Sequence, residues 1–220
     1  MQHIQLIETH DGSHTLHHSG LNETYHSIHG AVNESKHVFI KNGLEYRNLS
    51  PCNVLEIGFG TGLNALLSYQ YALEHNIDLH FHSIELYPLD VNTIQQLNYP
   101  QLLGTEYIPL FSELHEAAWN IPIQLNPLFT LHKQEGSIHT HQFNQAFDVV
   151  YFDAFAPDKQ PDMWTLAVFE KLRSVMNADG ILVTYCAKGS VKRMLKQAGF
   201  MVESLPGPPG KREMTRAVLV

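Results

Sequence analysis

Cysteine and long apolar runs are both scarce in this sequence, and each absence excludes a class of protein. Only two cysteines occur in 220 residues, Cys52 and Cys186, so a disulfide framework is excluded and both are expected to be reduced structural residues. No run of eighteen apolar residues is present, and residues 1–5 have neither the basic nor the apolar region of a signal peptide. We therefore expect a soluble, cytoplasmic protein without a membrane partner.

Positive charge is also in short supply. Lys and Arg number 14 against 22 Asp and Glu, which gives a formal net charge of −8. Proteins that hold nucleic acid over a broad surface do so with clustered Lys and Arg side chains. Any contact between this chain and RNA therefore has to be local.

Histidine, in contrast, is abundant, and four of the 15 histidines crowd one short stretch as His10, His14, His17 and His18. A metal site is one interpretation of that stretch. Structural zinc sites usually include cysteines and a complete ligand set, which the stretch does not provide. We predict a polar hairpin there and no metal.

The chain divides into a short extension and one main domain. Its hydrophobic fraction of 44% is enough to bury the core of a single large domain. Residues 1–48 combine short β-like pieces with turn signals at Asp11-Gly12 and Asn42-Gly43, which predicts a β-rich N-terminal extension. Residues 49–220 make up the main domain, and the stretch at about 88–126 is too long for a simple crossover, so it is predicted to be a helical insertion.

Strands alternate with helices in the main domain. Buried-strand signals lie at residues 54–57, 79–86, 128–132, 147–152 and 181–185, and helical spacing lies at 63–74, 163–176 and 191–198. The Gly- and Pro-rich turn at 206–210 joins two final strands into an antiparallel hairpin at a sheet edge. This order predicts an α/β, Rossmann-like fold with a mostly parallel sheet and one reversed edge strand.

A glycine-rich turn, Gly58-Phe59-Gly60-Thr61-Gly62, connects the first strand to the first helix. Glycine lets the backbone approach a ligand closely. A dinucleotide fingerprint would have its third glycine at the position of Leu63, so the spacing favours a nucleoside without a pyrophosphate. Glu56 before the turn and Glu85 at the end of the second strand are candidates to accept hydrogen bonds from ribose hydroxyls. The alternative is a tight turn and a solvated strand end.

The loop after the third strand is the candidate for contact with an adenine edge. It reads Gln134-Glu135-Gly136-Ser137 and leaves the same end of the predicted sheet as the glycine turn. We select Glu135 and Ser137 there as cofactor-binding candidates.

The loop after the most apolar strand carries the candidate chemistry. It reads Asp153-Ala154-Phe155-Ala156-Pro157 and resembles the Asp/Asn-Pro-Pro-aromatic loop of amine methyltransferases. Methyl transfer from a sulfonium is an in-line displacement, so a carboxylate that orients the nitrogen and takes its proton suits amine chemistry. An aromatic ring beside the cationic centre would add a cation–π contact. The structural alternative is a cap by Asp153 and ordinary packing by Phe155.

Three groups of residues make the sequence similar to a known family. They are the motif at 54–64, which ends in Leu63-Asn64, the loop at 153–157 with Pro161-Asp162-Met163-Trp164, and the segment Gly210-Lys211-Arg212-Glu213-Met214. Residues 23–40 also look like the family's N-terminal part, so the resemblance covers nearly the whole chain. On these motifs the sequence resembles the methyltransferase domain of the tRNA-modifying MnmC family and its stand-alone, MnmD-like members.

The resemblance implies a class I methyltransferase that uses S-adenosyl-L-methionine. Its implied reaction is methylation of the aminomethyl group of 5-aminomethyl-2-thiouridine at the tRNA wobble position, which gives 5-methylaminomethyl-2-thiouridine. A separate FAD-dependent oxidase or upstream uridine-modifying enzymes would supply the amine. The resemblance places Asp153 and Phe155 beside the transferred methyl group, Asn64 in the cofactor motif and Glu85 at the ribose.

It also implies a set of substrate contacts. Tyr25 and Glu34 would close over the site, and Pro157 would belong to its loop. Trp164 would stack on a flipped base, and three cations, Lys188, Lys211 and Arg212, would meet RNA phosphate. Each has a plainer alternative. The N-terminal pair would simply pack the extension against the sheet, the tryptophan would be a core residue, and the cations would be solvated.

Other functions stay open on the sequence. An RNA substrate requires a small positive patch beside the pocket, and the candidates for it lie late in the chain: Lys159, Lys188, Lys192, Arg193, Lys211 and Arg212. Without that patch, a small-molecule amine methyltransferase or an aminopropyltransferase is the better enzyme interpretation. A non-catalytic nucleotide-binding or RNA-binding module that kept the fold is the alternative from another class.

Overall fold

The computed structural model describes residues 4–220, so the first three residues of the predicted N-terminal extension lie outside the described residues. The described chain opens with a small antiparallel sheet in the order β1-β2-β3, formed by β1 (Ile4–Glu8), β2 (His14–His18) and β3 (Glu23–Thr24). The predicted turn at Asp11-Gly12 joins the first two strands, and Gly12 has the left-handed φ of 79° that such a turn favours.

The second half of the extension is helical, which corrects the prediction of a β-rich segment through residue 48. It consists of α1 (Ala31–Ser35), a π-helical stretch (Lys36–Leu44) and α2 (Glu45–Arg47). Asn42-Gly43 therefore lies inside a helix instead of a turn. The glycine at position 43 lets the helix approach the main sheet closely, since a Cβ at this position would lie 3.1 Å from Tyr151 Cε1.

The main domain is built on one eight-stranded sheet in the order β10-β11-β9-β8-β4-β5-β7-β6. Its strands are β4 (Cys52–Ile57), β5 (Leu79–Glu85), β6 (Pro122–Asn126), β7 (Phe129–Glu135), β8 (Phe147–Phe152), β9 (Met176–Thr184), β10 (Phe200–Pro206) and β11 (Glu213–Leu219). Strands β7, β5, β4, β8 and β9 run parallel to one another. The Rossmann-like, mostly parallel architecture is thus confirmed.

The helices lie between the strands. They are α3 (Leu63–His75), α4 (Val91–Ile94), α5 (Tyr99–Leu103), a 3-10 turn (Thr105–Tyr107), α6 (Ile108–Glu116), a second 3-10 turn (Pro161–Met163), α7 (Leu166–Ser174) and α8 (Gly189–Gln197). Helix α3 follows the glycine-rich turn directly, as predicted. The helices cover both faces of the sheet, and β8 is consequently buried along its whole length.

Two features of the sheet correct the predicted topology. The insertion predicted to be helical through residue 126 ends in strand β6, which pairs antiparallel with β7. The C-terminal hairpin is present, but its reversed strand β11 pairs with both β9 and β10, so β10 is the edge. The sheet therefore has two reversed strands, β6 and β11, instead of one.

The buried interior contains both cysteines, Cys52 and Cys186, as free thiols. Within residues 4–220, no helix has the length and apolar character needed to cross a bilayer.

Candidate active site

A cavity opens where the parallel strands end at their carboxyl termini. Its lining includes the glycine-rich turn after β4, Glu85 after β5, Ser137 after β7, and Asp153 after β8. The strand ladders continue into these loops: Gly58 N donates to Ile84 O at 2.9 Å, and Asp153 N donates to Ile57 O at 3.3 Å. The expected meeting of the glycine turn and Asp153 in one cavity is therefore present, at the position where doubly wound folds bind ligands.

The glycine-rich turn has a conformation that requires glycine. Gly58 and Gly60 have φ values of 95° and 48°, in the left-handed region that other residues rarely adopt. A Cβ on Gly58 would lie 3.3 Å from the backbone oxygen of Asp153, and one on Gly60 would lie 3.2 Å from Tyr25 Cδ1. The turn consequently brings its backbone close to the cavity, and its neighbours close tightly around it.

Glu85 stands at the cavity end of β5, in the predicted place. Its carboxylate accepts hydrogen bonds from Gly60 N at 3.1 Å and Tyr87 N at 2.8 Å. Each carboxylate oxygen has capacity for a further donor. Glu85 is therefore positioned to accept hydroxyl groups of a ligand while it anchors the glycine turn.

Glu56 has a different place from the one predicted. The side chain is fully buried beneath the turn, outside the cavity lining, and accepts a 2.6 Å hydrogen bond from Ser83 Oγ. Burial raises the pKa of Glu56 well above its usual value. A direct ribose contact is thus replaced by a supporting role under the turn, because the side chain projects from the face of the sheet beside its register partner Ser83 and not past the strand end.

The loop after β7 contributes Ser137 but not Glu135. Glu135 is exposed and lies outside the cavity lining, whereas Gly136, Ser137 and Ile138 line it. Ile138 is 3% exposed and forms an apolar wall that the sequence reasoning missed. An apolar residue two positions after a glycine was the available signal, since adenine rings pack on apolar surfaces.

Asp153 is the central polar group of the cavity. Asn64 Nδ2 donates a 2.8 Å hydrogen bond to Asp153 Oδ2, which ties the end of β8 to the start of α3. Burial, reinforced by the negative charge of Glu34, raises the pKa of Asp153 to about 7, although the Asn64 hydrogen bond and the Lys211 charge act in the opposite direction. A carboxyl group with this pKa is an effective proton acceptor near neutral pH.

Aromatic rings form another part of the cavity wall, next to the glycine turn. Phe155 lines it with Tyr25, and the two ring centroids are 4.9 Å apart in an edge-to-face arrangement. His18 approaches Phe155 from the small N-terminal sheet at 6.2 Å. The N-terminal sheet therefore covers the site, as expected for Tyr25.

Two other predicted substrate contacts are corrected. Trp164 is 4% exposed, packs on Phe152 at 4.8 Å and donates its indole N–H to Phe155 O at 2.7 Å. A ring buried in this way cannot stack on a flipped base, and its role is to hold the backbone of the Asp153 loop. Pro157 lies in the same loop but outside the cavity lining.

Three of the six cations of the predicted positive patch are held in ion pairs. Lys188 pairs with Asp158, and Lys192 pairs with Glu213 at 2.8 Å. Lys211 turns inward and pairs with Glu34, whose side chain is only 6% exposed. Arg212 next to it is exposed, as is Lys188. Acidic side chains near each lysine, which sequence distance conceals, account for this outcome.

The clustered histidines of the N-terminal sheet contact different parts of the protein. His14 Nδ1 lies 2.8 Å from Gln96 O, and His18 faces Phe155. Within residues 4–220, no group of three His, Cys, Asp or Glu side chains is arranged to hold a metal ion.

Two histidines that the sequence reasoning missed brace Thr61 of the glycine turn. His26 Nε2 lies 2.8 Å from Thr61 Oγ1, and His115 Nε2 donates to Thr61 O at 3.2 Å. Burial lowers the pKa of both histidines to about 4, so both are neutral at pH 7. They come from the extension and the insertion, and no local signal links either to the turn.

Lys133 is a second missed residue and is 1% exposed. Its Nζ donates to His115 O at 2.6 Å and lies 5.2 Å and 4.6 Å from the ring centroids of Phe59 and Trp119. Burial lowers the pKa of Lys133 to about 8. The lysine therefore supports the glycine turn from behind through cation–π contacts.

Comparison with known proteins decides the family. A family model described as S-adenosyl-L-methionine-dependent methyltransferase matches residues 122–220. The tRNA 5-methylaminomethyl-2-thiouridine biosynthesis bifunctional protein MnmC of Azoarcus sp. (strain BH72) is 33% identical over 211 residues, which are 88% of this chain and 32% of that protein. This chain is an MnmC relative and an S-adenosyl-L-methionine-dependent methyltransferase. It spans about a third of the length of the curated relatives it matches.

Solved structures agree with this assignment. The crystal structure of MNMC2 from Aquifex aeolicus is similar to the MnmC relative with a TM-score of 0.82 and 27% identity, over 100% of this chain and 71% of that one. Spermidine synthase from Thermotoga maritima is similar with a TM-score of 0.59 and 14% identity, over 100% of this chain and 69% of that one. The second likeness shows a shared fold alone.

The residues of the cavity fit S-adenosyl-L-methionine. Asn64 lines the cavity with its amide bonded to Asp153, and Ile138 forms an apolar wall on which an adenine ring can pack. The turn at Gly58 and Gly60 offers backbone close to the ligand, and Glu85 offers acceptors to ribose hydroxyls. When bound, the cofactor supplies an electrophilic methyl carbon on a sulfonium.

Proposed function

We propose that this MnmC relative methylates the aminomethyl group of 5-aminomethyl-2-thiouridine at the wobble position of tRNA, giving 5-methylaminomethyl-2-thiouridine. The observation that carries the proposal is Asp153, a carboxyl group with a pKa of about 7 that shares one cavity with the glycine-rich turn. The names of its relatives, which refer to tRNA 5-methylaminomethyl-2-thiouridine biosynthesis, support the same substrate.

Asp153 has the properties needed to prepare an amine for methyl transfer. A primary alkyl amine is an ammonium ion at neutral pH, with a pKa of about 10, and it has no lone pair until it loses a proton. The Asp153 carboxylate takes that proton, and the Asn64 hydrogen bond holds its orientation. An ordinary aspartate would be a weaker acceptor by about three pKa units, equivalent to about 4 kcal/mol.

The displacement itself balances within the cavity. The C–N bond forms as the C–S bond breaks, the sulfur keeps the electron pair, and the nitrogen gains the positive charge. The products are the protonated secondary amine and S-adenosyl-L-homocysteine, and Asp153 later returns its proton to solvent. Phe155 and Tyr25 present aromatic surface to the cavity while the positive charge moves from sulfur to nitrogen.

The wobble uridine has to leave the base stack to reach Asp153, which lies below the rim of the cavity. Enzymes that act on a base offset the free-energy cost of unstacking by binding the extruded base in a fitted pocket. His18, Leu21 and Tyr25 of the N-terminal extension line the cavity, and we expect the base to enter beside them. The amine would come from a separate FAD-dependent oxidase or from upstream uridine-modifying enzymes.

A small-molecule amine is the second candidate substrate. The specific observation in its favour is that Lys188, Lys192 and Lys211 are paired with carboxylates, which weakens the positive field expected around an RNA-binding pocket. An aminopropyltransferase also belongs to this alternative, since it shares the fold and transfers a group to an amine.

A labelled-methyl assay separates these substrates. The protein is incubated with methyl-labelled S-adenosyl-L-methionine and hypomodified tRNA, the same tRNA already carrying the methylaminomethyl group, a polyamine precursor, or a small alkyl amine. We expect label in the hypomodified tRNA alone, recovered as the methylaminomethyl nucleoside. Label in a small amine instead would establish methylation of that amine. A parallel reaction with decarboxylated S-adenosyl-L-methionine and the polyamine precursor tests aminopropyl transfer, because the methyl group stays on sulfur there. Cofactor binding without transfer in either reaction would indicate a non-catalytic module.

A further inference from the structure

The turn of the C-terminal hairpin is held by the helical half of the N-terminal extension. The ring of His29 packs directly on Gly210, at the space where a side chain would otherwise stand. His37 Nε2 lies 2.8 Å from Pro206 O at the other end of the turn. Between these contacts, the inward-pointing Lys211 meets Glu34 of α1. Segments more than 160 residues apart in sequence are thus joined across the top of the sheet.

Lys211 is also connected, through Tyr185, to the loop that carries Asp153. Its Nζ lies 4.0 Å from the ring centroid of Tyr185, which follows β9. The Tyr185 hydroxyl donates a 2.8 Å hydrogen bond to the backbone oxygen of Ala154, the residue between Asp153 and Phe155. A continuous series of contacts therefore runs from α1 through the hairpin turn to the candidate catalytic loop.

We infer that Glu34 and Lys211 are positioning residues for methyl transfer, which fix the Asp153 loop through Tyr185 and set the local charge around Asp153, and that Lys211 does not contact RNA phosphate. The inference rests on the proposed function, in which Asp153 takes the proton of the amine. The carrying observation is geometric: the ammonium group is committed to a buried carboxylate on one side and an aromatic ring on the other.

The charges around Asp153 determine how each variant should act. Glu34 raises the pKa of Asp153 and Lys211 lowers it. The remaining groups that interact with it are the Asn64 amide, Glu56 below the turn, and the hydroxyls of two tyrosines, Tyr99 and Tyr185. Removing the positive charge should raise the pKa of Asp153, and removing the negative charge should lower it.

The test compares pH–rate profiles of kcat/KM for methyl transfer to hypomodified tRNA. We expect the acid limb to move to higher pH in Lys211→Met and to lower pH in Glu34→Gln, each by at least about half a unit. Lys211→Arg keeps the charge and should keep the limb near its original position. Glu203→Gln removes the Glu203–Arg216 ion pair from the same hairpin and serves as the control with an unchanged profile.

An RNA contact by Lys211 gives a different result. Lys211→Met would then weaken tRNA binding and reduce the salt slope of log Kd by about one, with the pH profile unmoved. That outcome overturns the inference. Binding of S-adenosyl-L-homocysteine shows whether Lys211→Met folds. If it does not fold, Glu34→Gln alone tests the inference, and an acid limb that does not move in that variant also overturns it.

Failure of the proposed function has its own signature. The wild-type protein would then transfer no methyl group to the tRNA, or Asp153→Asn would remain fully active. The inference fails separately when the wild-type protein has an acid limb that Asp153→Asn abolishes and neither Lys211→Met nor Glu34→Gln shifts it.

Discussion

Asn64 donates a 2.8 Å hydrogen bond from Nδ2 to Oδ2 of Asp153, across the gap between the start of α3 and the end of β8. The bond links the cofactor side of the cavity with the side that carries the proton acceptor. Because Asn64 also lines the cavity and interacts with the buried Glu56 beneath the glycine turn, it is placed to respond to cofactor and Asp153 together.

Replacing Asp153 by Asn tests the proton acceptor. Asparagine keeps the shape of the side chain but cannot take a proton, so we expect turnover to fall by at least about 100-fold. The Kd for S-adenosyl-L-homocysteine, measured by calorimetry, should stay within about threefold of wild type, because the glycine turn and Glu85 are untouched. Full single-turnover activity in this variant would remove Asp153 from the mechanism.

Replacing Asn64 by Ala should move the acid limb of the pH–rate profile. The Asn64 hydrogen bond stabilises the carboxylate and lowers the pKa of Asp153, so its loss raises that pKa. The active form is the carboxylate, and activity should therefore be lost at a higher pH as the pH falls. Asn53→Ala, beside Asp148 at the opposite end of β4, is the matched control. A limb that moves equally in both variants would contradict this assignment.

Glu85 and Glu135 form a matched pair for testing the cofactor site. They are register partners on β5 and β7, but Glu85 lines the cavity and Glu135 is exposed outside it. Glu85→Gln should weaken cofactor binding about tenfold, or about 1.4 kcal/mol, as a charged hydrogen bond is replaced by a neutral one. Glu135→Gln should leave calorimetric affinity unchanged. An equal loss in both would disprove the ribose assignment to Glu85.

Lys133→Met should stabilise the fold at neutral pH. Burial lowers the pKa of Lys133 from 10.5 to about 8, so the folded protein at pH 7 holds a charge that the unfolded chain would solvate better. Wild-type stability should therefore rise between pH 8 and about 10.5, and the advantage of the methionine variant should shrink over that range.

Urea denaturation at pH 7 and pH 9.5 measures this difference, with the exposed Lys196→Met as control. Methionine can keep contact with the rings of Phe59 and Trp119. A variant that is less stable than wild type at pH 7 would mean that the cation–π contacts and the His115 carbonyl outweigh the burial of the charge.

Features that depend on neighbouring residues were predictable. The glycine-rich turn lies between a strand and a helix at the predicted place, and Asp153 follows a fully buried strand whose six residues are all apolar except Asp148. Parallel strands bring their carboxyl ends to one edge, so the cavity followed from the order of elements. The helical half of the extension was missed because Gly43, which favours a turn locally, serves there to let a helix approach Tyr151.

Side-chain roles that depend on distant partners were not predictable. The sequence around Trp164 gives no sign of the hydrogen bond from its indole to Phe155 O. The sequence around Lys211 likewise gives no sign of its partner Glu34, which lies 177 residues earlier. A tryptophan beside a catalytic loop and a lysine on a turn are equally compatible with RNA contact until their surroundings are known.

The sequence by itself determined the order of strands and helices, the glycine turn that only glycine can form, and the carboxylate at the end of a buried strand, because period, backbone conformation and strand polarity are local properties. Tertiary structure alone decided which charged side chains are held in internal ion pairs and what pKa Asp153 has. Burial and the distances between charges set those quantities, and both arise only when residues remote in the chain are packed together.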